Sequence, residues 1–164
     1  MPFVYRSVGG IVASNFLSGA ANVDQDYFFI KPGTRNVGML SLIVGGKGAG
    51  LTALSGLQYT LEKYPTTATA INTGTALVPA PVDPGAQAAK ATAAASTGAQ
   101  FTAGTGTKVY VGGCFSGAAG PGGWVAENPD ALPTLEGAAT QSIDLWVQSG
   151  TAALNFNYVI SHQE

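Results

Sequence analysis

A chain of 164 residues is long enough to close one hydrophobic core, and with only 10% charged residues its surface must be built largely from Thr, Ser, Asn, Gln, Gly and Ala. A formal charge of −2 offers nucleic acid no general field, one cysteine makes no internal disulfide framework, and the uncharged stretch 7–23 is too rich in Gly, Ser and Asn to span a membrane. So neutral a surface has little self-repulsion, which implies that copies of the chain or a partner cover much of it.

The charge is also unevenly placed. Residues 1–108 carry all seven Lys and Arg against four acids, whereas residues 109–164 carry five acids and no base. If the two parts fall on different faces, head-to-tail contacts around a ring are favoured. Scattered, solvated charges are the plainer reading. The opening Met-Pro-Phe-Val-Tyr-Arg lacks the basic, apolar and small-residue succession of a signal peptide, so a soluble product made in a cytoplasm is expected.

In chain order, Phe3 to Val8 alternates weakly, as a short strand or an extended arm, with Phe16 and Leu17 as a later apolar anchor. Residues 1–24 are thus an arm or a first strand, and 25–164 a single domain. Tyr27-Phe28-Phe29-Ile30, closed by Pro32-Gly33, and Val37 to Val44, closed by Gly45-Gly46, are strands by their aromatic and β-branched content. Leu57, Tyr59 and Leu61 alternate with Gln58, Thr60 and Glu62, a strand with one buried face. Residues 66–78 fit a hairpin turning at Asn72-Thr73-Gly74. From Pro79 to Thr107 the chain is rich in Pro, Ala, Thr and Gly, and reads as a linker, a surface loop or a short helix over Ala86–Ala95.

Lys108 to Val111 resumes β character, a Gly-rich stretch leads to Trp124-Val125, and Asn128-Pro129-Asp130 marks a loop. Ile143, Leu145 and Val147 share one face of a strand. Leu154, Phe156, Tyr158 and Ile160 share one face of the next, which predicts a carboxy-terminal hairpin about Ser149-Gly150. Several strands without a βαβ rhythm predict an all-β fold, a jelly roll or β-sandwich, with the jelly roll favoured, carrying long Gly/Ala-rich loops and an extended N-terminal arm.

Chemistry-bearing patterns are few. Gly48-Ala49-Gly50-Leu51-Thr52-Ala53 has the form of a dinucleotide loop, but no second βαβ unit follows it, and a hairpin loop is simpler. Cys114 and His162 make a thiol-imidazole pair only if the fold brings them together; a small buried thiol and an exposed or interface ring are the ordinary reading. No zinc ligand spacing is present, so no metal or cofactor is expected. Trp124 with Glu127 and Asp130 forms a ligand or interface loop in which the indole stacks on a sugar ring, or else a solvated loop with Trp124 plugging the end of the sandwich.

With its Gly/Ala/Thr-rich composition, the strand VGMLSLIV and the ending SIDLWVQSGTAALNFNYVI, the chain resembles bacteriophage head-decoration (cement) proteins, many of which are jelly rolls or small sandwiches that trimerise on the capsid. The resemblance implies a non-enzymatic virion protein on the head surface, a homotrimer whose partner is the major capsid protein. It also implies a capsid-binding arm in which Phe3, Tyr5, Arg6, Phe16 and Leu17 engage the shell. A phage fibre or tail module that binds host glycans is the alternative, and a small hydrolase using Cys114 with His162 is a third.

Overall fold

The computed structural model describes residues 2–9, 16–17, 25–47, 56–65, 74–96, 106–117, 121–128, 130–149 and 155–164. Among them all regular structure is β. The strands are β1 (Val4–Gly9), β2 (Phe16–Leu17), β3 (Gln25–Lys31), β4 (Val37–Lys47), β5 (Gly56–Tyr64), β6 (Gly74–Leu77), β7 (Ala80–Pro81), β8 (Thr92–Ser96), β9 (Val109–Gly117), β10 (Gly122–Val125), β11 (Thr134–Leu135), β12 (Ser142–Ser149) and β13 (Asn155–Gln163).

They form two antiparallel sheets. One runs β10-β4-β13-β1-β7, with β11 also on β4 and β2 on β13; the other runs β6-β8-β3-β12-β5-β9. If the eight principal strands (β1, β3, β4, β5, β9, β10, β12, β13) are numbered one to eight along the chain, the sheets read 6-3-8-1 and 2-7-4-5. That is the strand order of a jelly roll, in which the chain passes repeatedly from one sheet to the other. The short strands β6, β7 and β8 are an insertion between β5 and β9 that widens both sheets on one flank.

The alternation read from the sequence sets the core. Phe28 and Ile30, Tyr59 and Leu61, and Ile143, Leu145 and Val147 point inward from the second sheet, against Leu42, Val44, Phe156, Tyr158 and Ile160 from the first. Met39 and Leu42 are three residues apart yet both buried, which strict alternation forbids. A bulge opposite Ser161 and His162 resolves this: Ser161 pairs with Ser41 and His162 with Met39, so Leu40 is the extra residue.

Three expectations are corrected. The last two long strands do not form a hairpin. β12 pairs with β3 and β5, and β13 with β1 and β4, so they lie in opposite sheets. Period-two patterning tells which face is buried and is silent about the neighbour. The region 86–95 contains no helix. Its alanines form β8, paired to β3 and β6, because Ala93 and Ala95 fill the narrow margin of the core while Ala94 lies on the outer face against Phe29, and that packing outweighs helix propensity. Tyr5 belongs to no free arm: β1 is paired on both sides, and the Tyr5 ring is fully buried.

Residues 10–15 and 18–24, the dinucleotide-like segment 48–53 and the turn 72–73 lie outside the described residues. So does the rest of that hairpin before β6.

Candidate functional site

At one flank of the sandwich β9 closes the second sheet and β10 the first, and the two edge strands lie side by side. The local sequence explains how. Gly112 faces inward and Gly113 outward. A side chain at Gly112 would sit 2.3 Å from the Trp124 indole, and one at Gly113 would meet the Tyr110 hydroxyl and the Tyr59 carbonyl. Bare backbone at these two positions lets one aromatic ring lie along each side of β9. Gly112→Ala is expected to displace Trp124, cost about 1–2 kcal/mol and red-shift tryptophan emission, as read by urea denaturation and fluorescence.

The chain then makes a loop, of which residues 126–128 and 130–133 are described, fastened to β4 at both ends. Ala126 N donates to Leu40 O at 2.9 Å, and Met39 N donates to Pro133 O at 2.9 Å, so the loop springs from the bulge at Leu40. Inside it, Asn128 accepts from Asp130 N through its side chain (2.9 Å) and from Ala131 N through its carbonyl (3.1 Å), which holds the turn. Between loop and strands opens a cleft of about 460 Å³, walled by Tyr110, Val111, Gly112, Trp124, Ala126 and Pro133 with Glu127 and Asn128 at its rim.

Trp124 and Glu127, expected to share a ligand or interface loop, thus share one cleft, with exposed Asp130 on the loop beside it. Tyr110 and Pro133 were not foreseen. Tyr110 is 67% exposed because a second bulge, at Leu61 and Glu62 against Val111, shifts the start of β9 by one residue. No signal in the sequence marks that bulge beyond the adjacent glycines.

The other expected residues are dispersed. Arg6 is exposed on β1, Phe3 is half-buried where its backbone exchanges hydrogen bonds with Glu164, and Phe16 and Leu17 pair with Phe156 and Asn155. Cys114 lies on β9 opposite Tyr59, with its thiol pushed up to about 11 by burial. His162 lies in β13 between Met39 and Tyr5, on the other sheet, so the structure does not bring the pair together, and its ring is fully buried against Tyr5 where an exposed or interface ring was expected. Among the described residues no group of three His, Cys, Asp or Glu is placed to hold a metal.

Two polar clusters are structural in form. On the outer face of the second sheet Glu62 and Asp144 stand directly opposite each other, both buried. Glu62 meets the Lys108 ammonium at 2.8 Å and accepts from the Tyr64 hydroxyl at 3.0 Å, while Lys108 also lies over the Trp146 ring. At one end of the first sheet His162 stacks on Tyr5 and faces Glu164.

Comparison with known proteins returns no matching family model, no matching curated protein and no matching solved structure.

Exposed apolar side chains are concentrated at the sheet edges. On the cleft flank Phe115 is 71% and Val125 67% exposed; on the opposite flank, where Val78 and Pro79 join β6 to β7 across the two sheets, Val78 is 87% exposed and Val82 is exposed as well. The charge division read from the sequence is only partly spatial. Exposed Glu127, Asp130 and Glu136 lie along the cleft flank with two bases, Lys108, which is paired with Glu62, and Lys63, which donates to Thr134 O, while exposed Arg6 borders the opposite flank.

Proposed function

We propose that this chain is a structural virion protein, a decoration protein that binds the assembled head of a bacteriophage in multiple copies and stabilises it. The observation that carries the reading is the pair of flanks: a jelly roll with few charges exposes its large apolar side chains mainly at its lateral edges. A lone soluble domain gains nothing from such edges, whereas neighbours in a lattice bury them.

Function follows from that burial. Contacts that exist only on the assembled shell shift equilibrium toward the shell by mass action, by about 2.7 kcal/mol per site when free protein is at a hundred times its dissociation constant. Copies that also touch one another add these contacts multivalently, so each is modest while the sum is large. A ring of three copies above a junction of capsid subunits fits this account, with the major capsid protein as partner. Tyr5 has no part in shell binding here; Arg6 and residues on the outer face of the first sheet, such as exposed Val8 and Ile43, are available for it.

The test is co-sedimentation of the purified chain with assembled shells and, separately, with the unassembled capsid subunit. Saturable binding to shells alone, accompanied by a higher temperature of shell rupture, is the expected result. Equal binding to free subunits, or none to shells, contradicts it.

A further inference from the structure

We propose that the Pro-rich ridge Val78–Val82 of one copy seats in the Trp124 cleft of the next, joining copies head to tail. This deepens the multi-copy reading above and rests on it.

The ridge is built for contact through side chains. β7 pairs with β1 at only two positions, and Val82 N donates to Val4 O at 2.9 Å, so the segment is held against the sheet. Pro79 and Pro81 have no N–H, which prevents a further strand from adding to this edge and leaves Val78 and Val82 as what it offers a neighbour. The following loop is pinned in three ways. The Tyr5 hydroxyl donates to Gln87 O (2.9 Å), Arg35 donates to the Gln87 side chain (2.7 Å), and Glu164 accepts from Lys90 N (2.7 Å). Two prolines and a pinned base leave little chain entropy to lose on docking.

The cleft is the matching surface. The Trp124 indole and Pro133 offer the kind of apolar wall on which proline and valine pack, and about 460 Å³ has room for more than one such side chain. Charge sets the orientation. Glu127 and Asp130 on the cleft flank are exposed, as is Arg6, which stands opposite Ala80 of the ridge. The acid next to the ridge, Asp83, is turned to its own loop, where its carboxylate accepts from Gly85 N at 2.9 Å. Ridge against ridge or cleft against cleft would oppose like charges, whereas ridge into cleft pairs unlike ones. Because the two surfaces are on opposite flanks of one molecule, the contact is heterologous and repeats from copy to copy until a ring closes.

Sedimentation velocity on the full chain across a concentration series tests this, with far-ultraviolet dichroism confirming that each variant is folded. The wild type is expected to assemble, more weakly as salt rises. Val78→Asp, and separately Glu127→Lys with Asp130→Lys, should each weaken association about tenfold or more, and adding Arg6→Glu to the second variant should restore part of it. A wild-type monomer at every concentration overturns the proposal, as does an oligomer indifferent to Val78→Asp. So does a monomer whose cleft takes up free monosaccharides, a result that assigns the cleft to glycans. The two readings separate cleanly: shell binding with an oligomer insensitive to these changes sinks the ridge contact alone, and a variant-sensitive oligomer that ignores shells sinks the decoration role alone.

Discussion

Phe156→Ala is expected to remove about 3–5 kcal/mol of folding stability, a large share of the roughly 5–15 kcal/mol of a typical domain. Phe156 is fully buried on β13, and its ring meets Tyr59 of the opposite sheet edge-on at 5.8 Å and Tyr158 of its own strand at 6.4 Å. Tyr158 in turn meets Phe28 across the sandwich at 5.4 Å, so the four rings tie the two sheets together. Alanine deletes the link and leaves a cavity that rigid strands on every side cannot collapse. Urea denaturation checks this: the midpoint should fall with the slope unchanged, and Phe156→Leu should recover most of the loss. A loss below about 1 kcal/mol would mean that the sheets do not close on this ring.

The second large effect is expected at Glu164. Its carboxylate accepts from the backbone N–H groups of Lys90 and Ala91 (2.7 and 2.9 Å) and lies 3.4 Å from His162 Nε2, so it fastens the loop after β7 to the end of β13. Glu164→Ala leaves those donors without their acceptor, at a cost of about 2–3 kcal/mol.

His162 gives this region a pH dependence. Burial, opposed by the hydrogen bond and the charge of Glu164, lowers its pKa below the ordinary 6.5, so the folded protein keeps the ring neutral. The unfolded chain takes up a proton at about the ordinary value that the folded state takes up only at lower pH. Stability from this group is therefore complete above pH 6.5 and is lost as pH falls toward the lower folded value. Thermal melts between neutral pH and pH 5 should show the decline, and His162→Gln should flatten that part of the profile. A profile identical in the variant would contradict the assignment.

Much of the architecture was legible because a half-buried strand shows its two faces directly. Ile143, Leu145 and Val147 point inward as the alternation predicts, and the all-β sandwich follows from several such strands. Pairing was not legible. Which strand lies beside β12 depends on contacts with β3 and β5, which lie far away along the chain, and adjacency in sequence suggested a hairpin that the jelly-roll order excludes. Ala93 to Ala95 misled for a related reason, since alanine's intrinsic preference is for helix and only the narrow space between β3 and β6 makes it a strand residue.

At the cleft, Trp124 and Glu127 were visible as an aromatic beside a loop acid. Tyr110 and Pro133 join them only because a bulge at Val111 and a loop anchored on the Leu40 bulge bring distant segments together. The division of charge at residue 108 was plain in the sequence, but it is only partly spatial: Glu127 and Asp130 stand on the flank opposite Arg6, while Lys63 and Lys108 share the acidic flank because β5 and β9 are paired there.

The most direct measurement of the central claim is a density map of the particle that carries this protein. The account predicts jelly-roll density on the outside of the head, repeated at local symmetry axes, with neighbouring copies touching flank to flank above junctions between capsid subunits. Density for the chain at a fibre tip or within the tail, with a bare head, would contradict it.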